Sequence, residues 1–120
     1  MKIAVTARGD GMEAGVDPRF GRAAKFVVVD LDTGAVESID NAQNVNAAQG
    51  AGIQAAQNVA NLGVGALITG HCGPKAFRVL SAAGVKIHAG ASGTVAEAVE
   101  KYKKGELTEL DSADVEGHWV

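Results

Sequence analysis

The sequence predicts an α/β domain built on a mixed sheet, in the element order βββαβαβα. Two apolar, β-branched runs, KIAVTA and KFVVVD, and a third segment after Thr33-Gly34 precede any helical spacing. From Asn46 onward, helical spacing alternates with the short apolar runs VGALITG and VKIHAG. Strands without a polar side, separated by helices, belong to a parallel sheet covered on both faces, onto which the early hairpin is grafted.

Each element has a local reason. KIAVTA stops at Arg8-Gly9-Asp10-Gly11, so a strand is expected to give way to a mobile loop running to DPRFGRA, with Asp17-Pro18 as a turn and Gly21 as a tight bend. Thr33-Gly34 joins KFVVVDLD to AVESIDN, an antiparallel partner with Val36 and Ile39 as its apolar positions. Asn46 and Gln49 form a capping box for a first helix carrying Ile53, Ala56 and Ala60 at helical spacing. Gly50 and Gly52 near its start imply close packing or close approach of a ligand. The second helix starts at Pro74 and ends before Gly84. Thr94 and Glu97 box the last one, whose apolar face is Val95, Ala98, Val99 and Tyr102, with Gly105 past its end.

A chain of 120 residues, 47% apolar, builds one core. The reading is a single domain over residues 1–110 followed by an acidic tail, 111–120, in which Trp119 could fold back over an apolar edge. One cysteine closes no internal disulfide, and the first residues resemble neither a signal peptide nor a membrane span. A cytoplasmic protein without membrane or nucleic-acid partners, and a monomer, is the expectation.

Charge is distributed unevenly. Residues 97–120 hold seven acids against three bases, whereas residues 41–96 contain no Asp or Glu and only Lys75, Arg78 and Lys86 as charged groups. An even spread would put about six or seven acids there. Burial explains such a stretch, and so does a surface cleared of carboxylates for an anion; the two are compatible.

In sheets of this kind ligands sit outside the carboxyl ends of the strands, which are the loops Arg8–Arg22, Thr69–Lys75 and Ala89–Thr94. The middle loop holds Cys72. Gly73 caps the second helix, so the first-turn N–H groups of Lys75 and Ala76, with the Lys75 charge, favour an anion or a Cys72 thiolate. Cys72 and His71 together could ligate a soft metal or a metal sulfide, and a lone cysteine is equally a small core residue. A structural zinc cage lacks ligands, since His71, His88 and His118 show no ligand spacing. Nucleophilic catalysis lacks an evident base: His88 ends the next strand and His71 is only a sequence neighbour. GDGMEAG lacks the Lys-Ser/Thr of a P-loop and reads as a flexible surface loop. A metal-dependent hydrolase would require Asp10, Asp17 and Asp30 to converge.

DPRFGRAAKFVVVD, GAGIQAAQ, ITGHCGPKAF and SGTVAEAVEKYKKGEL fall in the order and spacing of the dinitrogenase iron-molybdenum cofactor biosynthesis family, which the chain resembles over nearly residues 1–110. The resemblance implies a ribonuclease H-like, five-stranded mixed sheet with one antiparallel strand and helices on both faces. It implies non-catalytic binding or carriage of an anionic metal-sulfide cluster, either the molybdenum-copper sulfide held non-covalently by a small stand-alone member or an iron-molybdenum-sulfur cluster. Cluster donor or acceptor proteins would be its partners. Carried over, the cluster would lie among Arg8, Arg19, Arg22, Asn44, Asn46, His71, Cys72, Gly73 and Lys75, with Cys72 and His71 as the candidate metal ligands and no catalytic residue. A cluster that brings its own sulfides needs positive charge, N–H donors and a dry wall, so Cys72 becomes a wall residue or ligand and not a nucleophile. The alternative is a small enzyme or regulator with a phosphorylated or nucleotide ligand in the same cleft.

Overall fold

A computed structural model of the chain describes residues 1–41 and 51–110. Strands β1 (Lys2–Ala7), β2 (Lys25–Asp30) and β3 (Val36–Asp40) come first, with a short 3-10 turn at Phe20–Arg22 between β1 and β2. Helix α1 (Ala51–Ala60), β4 (Ala66–Ile68), α2 (Pro74–Ala82), β5 (Lys86–Ala89), α3 (Val95–Lys103) and β6 (Thr108–Glu109) follow. The strands form one sheet in the order β3-β2-β1-β4-β5-β6. β1, β4 and β5 run parallel, with Ile3 opposite Ala66 and Ala66 opposite Lys86. β2 runs against β1 and β3.

Side chains alternate across each strand, and the sequence uses both sides. Ala4, Phe26, Val28, Leu67 and Ile87 face α1 and α2, where Ala55, Ala56, Val59, Ala76 and Leu80 complete one core. Ile3, Val5, Ala7, Val27, Val29, Ala66 and Ile68 face the other way, onto Val95, Ala98 and Val99 of α3. The strands are continuously apolar because each face has its own helical cover. No helix among the described residues is long and apolar enough to cross a membrane.

The end signals of α2 and α3 act as expected. Thr94 Oγ1 accepts from the Glu97 amide at 3.2 Å while Glu97 Oε1 accepts from the Thr94 amide at 3.0 Å, closing the capping box. Gly84 and Gly105 take φ of +79° and +72° past the ends of α2 and α3. At the hairpin, Gly34 has φ +79° and donates to the Asp30 carbonyl at 2.8 Å.

Three expectations are corrected. The sheet has six strands, not five, and two of them, β2 and β6, run against the rest, not one. β6 is two exposed residues with no apolar alternation to announce it, held because the chain after α3 passes the open edge of β5. Second, α1 buries Ala55, Ala56 and Val59; of the predicted set Ile53, Ala56 and Ala60, only Ala56 is fully inside. Third, the loop after β1 is not a flexible surface loop. Arg8 donates to the Gly15 carbonyl, Val16 to Gly93, Val95 to Ala14 and Ala96 to Met12, each at 2.9 Å, so this loop is sewn to the start of α3. Its tip is held to β3, where Gly11 N–H donates to Ser38 Oγ at 2.9 Å and Lys25 bridges Asp10 and Asp40. The Asn46–Gln49 capping box, Gly50 and the tail 111–120 lie outside the described residues; Gly52 is buried in α1.

Candidate functional site

The carboxyl ends of β1 and β4 bring two loops together. Thr6 and Thr69, both with no exposed surface, stand side by side there with their hydroxyl oxygens 3.0 Å apart. Thr6 Oγ1 also donates to the Asp17 carbonyl at 2.7 Å, and the Asp17 amide returns a bond to the Thr6 carbonyl at 2.9 Å. The chain then turns through Asp17-Pro18, where Asp17 Oδ1 accepts from the Arg19 amide at 3.0 Å. From there it runs beside the β4 loop. His71 N–H donates to the Pro18 carbonyl at 2.8 Å, Phe20 N–H donates to the His71 carbonyl at 3.3 Å, and Arg19 pairs with His71 as an isolated parallel bridge.

This approach demands Gly70. A Cβ there would lie 2.6 Å from the Pro18 carbonyl oxygen and 2.7 Å from its Cα. Glycine is required here by space, not by a left-handed backbone.

Past the bridge the chain enters α2. Gly73 is its N-cap, without a side chain to cap the first turn, and Pro74 is the first helical residue. The first-turn amides of Lys75 and Ala76 have no intrahelical acceptors, so their partial positive charge faces this end of the sheet. α3 is different: its first-turn amides at Val95, Ala96 and Glu97 are taken by Ala14, Met12 and Thr94. The predicted third loop of the site, Ala89–Thr94, therefore closes onto the protein's own first loop.

The predicted residues divide by position. Arg19 and His71 are joined directly, and Cys72, Gly73 and Lys75 follow His71 into α2. Arg22 ends the 3-10 turn three residues past the bridge and is exposed. Arg8 lies on the side of the first loop that meets α3, its Cδ packed over Gly15. Asn44 and Asn46 fall outside the described residues. Arg8, Arg19, Arg22 and Lys75 are all exposed, and among the described residues none is in an ion pair, unlike Lys25, Lys86 and Lys103.

Cys72 is 0% exposed and belongs to the core on the α1 and α2 side, its Sγ 3.7 Å from the Gly73 carbonyl. Among the described residues no three His, Cys, Asp or Glu side chains group to hold a bare metal ion. Asp10, Asp17 and Asp30 do not converge either: Asp10 pairs with Lys25, Asp17 turns back on Arg19, and Asp30 accepts from the amides of Asp32 and Thr33 at the hairpin. His88 faces away from Cys72, on the α3 side, edge-on to Tyr102.

Thr6, Thr69 and Gly70 were not among the predicted site residues. For the two threonines the signal is faint but present: a hydroxyl near the end of each apolar run, in KIAVTA and GALIT, where a continuous strand would otherwise place another aliphatic residue.

The family model described as dinitrogenase iron-molybdenum cofactor matches residues 1–105. The apo form of the orange protein from Desulfovibrio gigas is 48% identical, with a TM-score of 0.86, covering 95% of this chain and 96% of that one. A NifB candidate from Thermotoga is 30% identical, with a TM-score of 0.77 over 95% and 97% of the two chains. An uncharacterized protein of Methanocaldococcus jannaschii is 28% identical over 113 residues, 92% of each chain.

Proposed function

The chain belongs to the dinitrogenase iron-molybdenum cofactor family, and on that premise we propose that it binds and carries an anionic molybdenum-containing sulfide cluster at the carboxyl end of its sheet, without catalysing a reaction. One observation carries the reading. The loops bearing Arg19, Arg22, His71 and Lys75 are joined at the start of α2, whose cap has no side chain, in a region whose exposed bases have no described carboxylate partners.

The residues suit a cluster better than a bare ion. An ion requires a cage of ligating side chains, and the described residues form none. A metal sulfide arrives with its soft ligands attached and asks the protein for charge compensation and N–H donors. Arg8, Arg19, Arg22 and Lys75 supply charge and the amides of Lys75 and Ala76 donate toward sulfur; the resemblance adds Asn44 and Asn46, outside the described residues, as further candidates. Cys72 backs the site from the core as a wall; His71, exposed on the joined loops, is the candidate metal ligand. The cluster is a molybdenum-copper sulfide, by the resemblance to small stand-alone members of the family, with an iron-molybdenum-sulfur cluster as the other candidate. The protein works as a monomer that receives its cargo from one protein and yields it to another.

Titration of the purified chain with tetrathiomolybdate and copper(I), followed by visible absorption at low and high ionic strength, tests this. A coloured complex that weakens as salt rises is expected, because exposed charges lose reach when screened. Failure to take up the sulfide, together with saturable binding of a nucleotide at the same loops, would reverse the reading in favour of a phosphorylated ligand.

A further inference from the structure

We propose that the buried Thr6–Thr69 hydroxyl pair is a positioning device for the anion site, setting where the Arg19–His71 bridge sits above the sheet. For the ligand arm of its test, this rests on the function proposed above.

Each threonine has one hydroxyl proton and can accept as well as donate. The Asp17 carbonyl can only accept, so the Thr6 proton goes to it across 2.7 Å. Thr6 Oγ1 must then accept from Thr69 across 3.0 Å. The result is a directional chain, Thr69 to Thr6 to Asp17, which uses both protons and links β4, β1 and the loop carrying Arg19. Both side chains are completely buried. Val fills nearly the same volume without desolvating a hydroxyl, so packing alone gives no reason for two threonines here. Asp17 is also the last residue before the Pro18 carbonyl that receives the His71 amide. Fixing Asp17 from both its amide and its carbonyl therefore fixes the height of the bridge two residues later. A buried, fully paired hydroxyl pair of this kind adds rigidity to the loops it joins.

Thr6→Val and Thr6→Ser are the variants, with Val29→Ala as a control for general destabilisation, since Val29 is buried toward the opposite end of β2. Amide hydrogen exchange is measured at Asp17, Phe20 and His71, and tetrathiomolybdate affinity in parallel. In Thr6→Val these amides exchange about tenfold faster and the anion binds about tenfold more weakly, the loss of one buried hydrogen bond. Thr6→Ser restores both. Val29→Ala lowers the melting temperature but leaves affinity within about twofold of the parent. Unchanged exchange at the three amides in Thr6→Val overturns the proposal, as does a Val29→Ala variant that weakens binding equally. If the parent protein does not bind the thiomolybdate, the functional reading falls, while the exchange arm still decides whether the hydroxyl pair positions the loops. Should Thr6→Val fail to fold, Thr69→Val, which spares the bond to Asp17, decides in its place with a smaller shift of about threefold in exchange.

Discussion

The imidazole of His88 stands edge-on to the ring of Tyr102, centroids 4.9 Å apart at 89°. This contact fastens the end of β5 to α3, and among the described residues the buried His88 Nδ1 has no hydrogen-bond partner. Burial pushes the His88 pKa below its ordinary value of 6.5, with Glu109 across the strand pair opposing and Lys86 adding to the shift. The sign follows from linkage. The unfolded chain takes up the proton at a higher pH than the folded one, so this contribution is whole above about pH 6.5 and is lost as pH falls below it. Thermal unfolding at pH 7.5 and 5.5 should show a loss of stability in acid that His88→Gln reduces. Equal pH dependence in both proteins would assign the effect elsewhere.

Gly70→Ala is expected to destabilise the fold by about 1–3 kcal/mol, because its Cβ meets the backbone of Pro18 and not the end of a flexible side chain. Gly9→Ala, whose Cβ would find only Ala14 at 3.8 Å, should be near neutral. Urea unfolding of the two variants provides the comparison. A stable Gly70→Ala protein would mean that the two loops can separate without penalty.

Removing the Thr94 cap by Thr94→Ala should cost about 1 kcal/mol. Glu97 has its pKa held below the ordinary carboxylate value first by the Thr94 amide, which the variant keeps, and then by the Thr94 hydroxyl, which the same substitution removes. Its stabilising share is present above the ordinary carboxylate pKa and disappears as pH falls through the lowered one. Carboxylate titration by NMR should find the Glu97 pKa lower in the parent than in the variant.

Cys72→Ala should leave at least part of the thiomolybdate binding in place, since the α2 amides and the surrounding bases are untouched. The lost sulfur vacates core volume, and stability should drop by about 1 kcal/mol. Circular dichroism establishes that the fold is intact. Abolished binding in a folded variant would promote Cys72 from wall to ligand.

Legibility followed the physical origin of each feature. The capping box at Thr94 and Glu97, the helix ends at Gly84 and Gly105, and the two covered faces of the sheet were readable, because each depends on side-chain type at fixed spacing. The anchoring of the first loop was not, since Val16 to Gly93 and Val95 to Ala14 are backbone bonds that nearly any residues could make. β6 was missed for the same reason. At the site, the bases and the Cys72 loop could be named in advance, whereas the union of Arg19 with His71 depends on a tertiary approach between residues far apart in the chain. Cys72 illustrates the limit: its motif permitted ligand, nucleophile or core residue, and its burial is a property of the packed fold.

The central place of β1 has a consequence for synthesis. β1 leaves the ribosome before the other strands of the sheet, and its antiparallel neighbour β2, itself paired with β3, follows by Asp40, so a three-stranded meander can assemble early. The parallel partner of β1 does not exist yet. Ile3 waits for Ala66 and Ala4 for Leu67, and at about 5–20 residues per second that interval lasts on the order of seconds. Throughout it the nascent chain displays an unpaired, strongly apolar edge, the geometry that recruits other strands. A stretch that ends buried between two strands of the finished protein is therefore exposed at birth, and slower translation between Asp40 and Ala66 should raise aggregation more than an equal delay after α3.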